Sequence, residues 1–228
     1  MAIYQLDDEL WFPSTGQAED YGLLAVGGDL SPERLLLAYS LGIFPWYNPG
    51  EPILWWSPDP RCVLFPAELH VSRSLQRFMR KQSFRISFNE NFAGVIYWCR
   101  GLRKNPDGSG TWITPEMQQA FIRLHQLGFA HSVECWEGDE LVGGIYGVCL
   151  GRCFFGESMF SRRDNASKVA LVYLLRRLEA AGFELLDCQQ PTDHLFSMGA
   201  REISRQQFAE HLRLAELPPY GPLVSRFL

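Results

Sequence analysis

The sequence predicts an α+β protein in two parts. A small N-terminal domain covers residues 1–65, and a larger domain over 66–228 is built on a mostly antiparallel sheet. Three observations carry that expectation. The runs AHSVECW, ELVGGIYGVCL and RCFFGESMF follow one another with only the turns EGDE and LG between them, the pattern of an antiparallel meander. Segments with helix start and stop signals lie on both sides of the meander. The first sixty-odd residues have another texture, rich in proline, glycine and tryptophan, with one clearly signalled helix.

Taken in order, that helix is SPERLLLAYSLG: Ser31 can cap it, Pro32 sits in its first turn, Glu33 favours its positive end and Gly42 follows its last turn. The stretch FPWYNPGEPILWWSPDPR then reads as an ordered loop pinned by aromatic packing, which places the boundary near Phe65–Pro66. VSRSLQRFMRKQ offers Ser72 as a cap, FRISFNE alternates like a strand, and NFAGVIYWCRGL reads as helical. TPEMQQAFIRLHQLG starts with Thr114 and Pro115 and stops at Gly128. After the meander, Asn165 can cap the long helix ASKVALVYLLRRLEAAG, ended by Gly182. The strand FELLDCQ and a final helix opened by a Ser204…Gln207 capping box complete the chain.

This order is that of an N-acyltransferase-type (GNAT-like) fold, in which the sheet splays to admit an acyl donor; the likeness concerns fold and not substrate. Users of coenzyme A in that fold carry a glycine-rich loop whose amides cradle the pyrophosphate. The corresponding stretch here, SMFSRRDNASK, has no glycine, so that donor is disfavoured.

Composition narrows the class further. The chain has 228 residues, 46% of them hydrophobic, enough for a sizeable core. No window approaches the ~18–20 apolar residues of a membrane span, and the start MAIYQLDDELWF lacks the pattern of a secretory signal. Six cysteines without a C-x-x-C pair read as reduced thiols of a cytosolic protein. The five histidines show no ligand spacing, and no metal site is expected. A net charge of −5 argues against general coating of nucleic acid but leaves room for a local basic patch.

Three groups of residues could carry chemistry. In CFFGESMF, Glu157 stands among phenylalanines and a methionine, where an unpaired anion is costly. Either it pairs with Arg162, Arg163 or Lys168, or it meets a ligand's ammonium at the mouth of an apolar pocket; the motif leaves both open. In LLDCQQPTDH, a strand end would project Asp187 and Gln189 from one face and Cys188 from the other. The first two could hydrogen-bond each other and a ligand's amine, or merely cap the next turn. A Cys188 nucleophile beside His194 is weighed against a cysteine turned into the core, and the core reading is preferred. Finally, Arg73, Arg77, Arg80 and Lys81 share one helical face, and Arg100, Arg103 and Lys104 form a second group. Solvated surface is the ordinary fate of such runs; with exposed tryptophans they could instead hold a phosphate backbone and stack a base.

FPWYNPGEPILWWSPDPR, GTWITPEM, FFGESMFSRRDNASK and LLDCQQPTDHLFSMGAREISR together resemble the signature segments of bacterial leucyl/phenylalanyl-tRNA–protein transferases, over nearly the whole chain. The resemblance implies a cytoplasmic enzyme that takes leucine or phenylalanine, less readily methionine, from aminoacyl-tRNA. It transfers that residue to the N-terminal arginine or lysine of a protein and so marks the protein for degradation under the N-end rule. Carried over by motif, Glu157 meets the α-ammonium, and Phe154, Met159, Ile145, Leu174 and Leu186 line the side-chain pocket. Gly156 would kink the strand to turn Phe154 inward. The family commonly has methionine where Ile145 stands and phenylalanine where Leu174 stands, which implies a differently shaped pocket. Trp46 and Trp112 would flank the terminal adenosine, and Asp187 and Gln189 form a polar pair at the ester, Asp187 drawing off the amine's proton unless a ribose hydroxyl shuttles it. Because the donor is an activated ester, no cofactor or nucleoside triphosphate is implied. The rival readings are another acyltransferase of this fold, whether it draws on coenzyme A or on aminoacyl-tRNA for cell-wall bridges, and a catalytically silent module that binds aminoacyl-tRNA or amino termini.

Overall fold

The computed structural model describes residues 3–81, 84–102 and 111–215. It is a mixed α+β protein with two sheets. The first has the strands β1 (Tyr4–Leu6), β2 (Leu23–Gly27), β3 (Phe44–Pro45) and β4 (Leu54–Trp56) in the order β1-β2-β4-β3, with helix α1 (Pro32–Ser40) between β2 and β3. Strands β3 and β4 lie where the sequence suggested only a loop. At two and three residues each they are too short to show alternation. Tryptophan does pin the region: Trp55 is fully buried and its indole N–H donates to the Gly27 carbonyl at 2.9 Å.

The second sheet contains β5 (Arg61–Leu64), β6 (Arg85–Phe88), β7 (Ala130–Glu137), β8 (Glu140–Leu150), β9 (Cys153–Ser161), β10 (Leu185–Gln189) and β11 (Arg201–Ile203). Their order is β11-β5-β10-β9-β8-β7-β6, and β9/β10 is the one parallel pair. Because β5 pairs with β10 and β11, the larger sheet begins at Arg61, ahead of the expected boundary at Phe65–Pro66. Cys62, Val63 and Leu64 are all fully buried, as befits an interior strand.

The helices are α2 (Arg73–Lys81), α3 (Phe92–Leu102), α4 (Pro115–Gln126), α5 (Ala166–Ala180), α6 (Asp193–Ser197) and α7 (Arg205–Leu214). Ser31, Ser72 and Thr114 accept first-turn amides as anticipated, and Ser204 and Gln207 form the reciprocal capping box. Asn165 does not cap α5 with its side chain; it adopts φ 61°, and the Ser161 hydroxyl takes the Ser167 amide instead. Among the described residues, no helix is long and apolar enough to cross a membrane.

One core lies between the first sheet, α1, α3, α4 and one face of the large sheet, joining Tyr39 and Trp55 to Tyr146, Phe155 and Phe121. A second core covers the other face beneath α2 and α5, with Ile145, Phe154, Leu171, Leu174 and Leu186. A cavity lined by residues of β9 and β10 opens between these cores.

Candidate functional site

Two irregularities, side by side on the parallel strands, shape the site. Between β8 and β9 the register steps from Tyr146↔Ser158 to Gly147↔Gly156, so Glu157 is an extra, unpaired residue. A Cβ at Gly147 would meet the Phe155 carbonyl oxygen at 2.1 Å, so only glycine fits opposite the bulge. The bulge reverses the alternation: Phe154 and Met159 face the α5 side, while Phe155 and Phe160 face the other. On β10 the step falls between Asp187 and Gln189, which leaves Cys188 as the extra residue and Gln189 at φ 61°.

Glu157 and Gln189 are thereby brought together. The Gln189 amide donates to Glu157 Oε1 at 2.8 Å, and the Tyr39 hydroxyl from α1 donates to the same oxygen at 2.7 Å. Oε2 receives no hydrogen bond among the described residues. Arg162 and Arg163 are engaged elsewhere, with Glu140 at 2.6 Å and with Glu137 at 3.0 Å. Burial pushes the Glu157 carboxyl up to about 8, against the lowering effect of the two hydrogen bonds. Burial, with the Glu157 charge second, likewise raises the Tyr39 phenol well above its ordinary value, which keeps it a donor.

Asp187 is placed differently from expectation. Its side chain does not pair with the Gln189 amide group. Instead it accepts from Arg61 Nε at 2.8 Å and Arg61 Nη2 at 2.7 Å, with both residues essentially inaccessible, and from the Gln189 backbone N–H at 2.9 Å. Arg61 also donates to the Gly42 carbonyl and lies between the rings of Phe44 and Phe208, 4.6 and 4.7 Å from their centroids. Sequence reasoning passed over Tyr39 and Arg61. Tyr39 was signalled by its place four residues after Leu35 on the apolar face of α1, a phenol needing a partner. Arg61 is a lone cation opening an apolar run, and such a cation needs an acid.

The cavity holds about 210 Å³. Ile145, Met159, Leu171, Leu186 and Leu195 make its apolar wall; Phe44, Trp46 and Trp112 make its aromatic side; Glu157, Ser158, Asp187 and Gln189 supply polar groups. Trp46 is 40% exposed at the rim. Phe154 and Leu174 do not line the cavity: both are fully buried behind its wall, and Leu171, one turn earlier on α5, takes the position assigned to Leu174. Cys188 packs against the second core, as expected, and also borders the cavity. Its contact with Cys62, together with burial, raises the thiol well above the ordinary range.

The basic groups are only partly placed. Arg73, Arg77, Arg80 and Lys81 are exposed on α2, whose Leu75 turns into the core. Arg100 is half-buried and donates to the Gln118 side chain at 3.3 Å. Arg103 and Lys104 lie outside the described residues.

Fold and cavity define an α+β protein whose cavity brings a buried carboxyl, an apolar wall and aromatic rings together. The family model "Leucyl/phenylalanyl-tRNA protein transferase" matches residues 63–213, and the model of that family's N-terminal domain matches 28–59. The protein of that name from Syntrophobacter fumaroxidans is 61% identical over 208 residues, covering 91% of this chain and 88% of its own. Its namesake from Pseudomonas aeruginosa PAO1 is 59% identical over 215 residues, 93% of this chain and 94% of its own. Among solved structures, a conserved protein of unknown function from Staphylococcus epidermidis aligns at 9% identity over 80% of this chain and 68% of its own, with a TM-score of 0.44. The chain belongs to the leucyl/phenylalanyl-tRNA–protein transferase family and is an aminoacyltransferase.

Proposed function

We propose that this enzyme takes leucine or phenylalanine, and less readily methionine, from aminoacyl-tRNA. It joins that residue to the N-terminal arginine or lysine of acceptor proteins in the cytoplasm, creating a degradation signal. Glu157 carries the reading. Among the described residues it is a buried carboxyl with no basic partner, one oxygen held by Tyr39 and Gln189 and the other without a hydrogen bond. An α-ammonium supplies the charge that this carboxyl lacks, and its arrival converts a group poised at about 8 into a carboxylate.

In this reading the larger domain is N-acyltransferase-like, and the donor enters where β9 and β10 run parallel. The amino-acid side chain enters the slot of Ile145, Met159, Leu171 and Leu186, with Phe154 and Leu174 fixing those walls from behind. A branched Cβ is crowded there, although one methylene is worth only about 1–3 kcal/mol. The terminal adenine lies against Trp46 and Trp112, and the basic face of α2 with Arg100 follows the phosphates, so tRNA binding weakens with salt. Arg103 and Lys104 belong to the same proposed contact.

Chemistry needs little beyond placement, because the ester is already activated and the acceptor α-amine, with an ordinary pKa of about 7.7–8.0, is partly free base. The amine attacks the ester carbonyl, the carbon–oxygen bond to the ribose breaks, and the amine's proton ends on the departing ribose oxygen. Both Asp187 oxygens already accept hydrogen bonds from Arg61. Its part is therefore to hold Gln189 by the backbone, while the adjoining ribose hydroxyl carries the proton. Mixing the protein, phenylalanyl-tRNA and a peptide beginning with arginine should yield the peptide plus one phenylalanine by mass spectrometry, and an alanine-first peptide should stay unmodified. Binding of the donor with no product would leave the silent binding module instead.

A further inference from the structure

We propose that Ser158 is a positioning residue whose hydroxyl bonds the ribose hydroxyl next to the aminoacyl ester; the inference rests on the donor proposed above. Ser158 is 5% exposed and lines the cavity, yet its Oγ is buried with no hydrogen-bond partner among the described residues. Buried hydroxyls are ordinarily paired. One left unpaired within a residue of the cavity wall points to a bond made when a ligand settles against that wall.

The strand decides which part of the ligand that is. Met159 packs into the core on the α5 side with Ile145 and Leu186, whereas Phe160, two positions beyond Ser158, packs into the opposite core with Tyr146. Ser158 therefore faces the aromatic side with Phe44, Trp46 and Trp112, and the apolar slot lies across β9. Glu157, on the bulge between the two sides, fixes the amine. A donor with its side chain in the slot and its base against the tryptophans passes its ester and adjoining ribose hydroxyl beside Ser158. Among the described residues no cationic side chain lines this cavity, and Arg61 behind it is committed to Asp187. A phosphate would be poorly served there. A neutral hydroxyl that can both donate and accept matches serine.

The test is a cycle of two proteins and two donors: wild type and Ser158→Ala, each with phenylalanyl-tRNA ending in adenosine or in 2′-deoxyadenosine, both charged on the 3′-oxygen. The substitution should lower kcat/KM roughly three- to tenfold on the ribose donor, the range of one neutral hydrogen bond. On the deoxy donor it should have less than a twofold effect. Equal losses on both donors, as a contact to the ester carbonyl or simple loss of structure would give, overturn the proposal, and so does an unchanged rate on the ribose donor. A second reading is independent of the variant's folding: wild type alone should be at least threefold slower on the deoxy donor, and equal rates overturn the inference. If wild type forms product with neither donor, the proposed function fails first.

Discussion

Two buried glutamates, on strands β7 and β9 of the same sheet, have opposite surroundings. Glu134 is wholly inaccessible, and both its oxygens are filled: Oε2 accepts from Ser87 at 2.6 Å, and Oε1 accepts from the Ser132 hydroxyl and, at 3.4 Å, from the Asn91 amide. Trp136 donates in turn to the Ser87 hydroxyl, which closes the network. Glu157 has two donors, both on one oxygen, and its other oxygen sits beside a cavity. Burial is nearly the same, and neither makes an ion pair among the described residues. The difference lies in how many donors meet the carboxyl and whether one lone-pair face is kept for something not part of the chain. Asp187 is a third case, since its charge is met by Arg61 within the protein.

The comparison can be broken most severely at the ion pair. Arg61→Ala leaves Asp187 buried without its counter-charge, which should cost about 3–5 kcal/mol in denaturant-induced unfolding. A loss below about 1 kcal/mol would show that solvent or another base replaces Arg61. Next comes the pH dependence of the ligand-free protein. Folding raises the Glu157 carboxyl from 4.5 to about 8, so the fold prefers its neutral form. The associated stability is present in full below pH 4.5 and is lost as pH rises through about 8. Glu157→Gln should remove that decline, a difference on the order of a few kcal/mol between the ends of the window, while weakening phenylalanyl-tRNA binding far more than binding of uncharged tRNA. Parallel pH–stability curves for the two proteins would mean that Glu157 is ionised in the empty cavity. The smallest effect belongs to the closed network: Glu134→Gln should cost about 1–3 kcal/mol by mismatching its donors and leave donor affinity unchanged. A large change in affinity would tie that network to the site.

Much of the fold was legible because its signals are local. The meander, the flanking helices and the caps at Ser31, Ser72, Thr114 and Ser204 follow from spacing and from single side chains that bond amides two or three residues away. The short strands β3, β4 and β11 left no such trace, since their pairing is with distant segments. In the site, the motif residues Glu157, Met159, Leu186, Trp46 and Trp112 all come to one cavity. Phe154 and Leu174 were assigned one layer too near it, because alternation tells the side of an element and not its depth. Asn165 was assigned a cap that Ser161 supplies.

By itself, the sequence determined the meander and its flanking helices, the α+β class and the rare pairing of an acid with greasy neighbours at position 157, all properties of residues close along the chain. Only the tertiary structure decided which groups meet that acid. Tyr39 arrives from 118 positions away and Gln189 from 32, while Arg61 crosses 126 positions to claim Asp187. Two bulges set the faces on which these side chains emerge, and an unpaired residue in a ladder depends on the register of both strands.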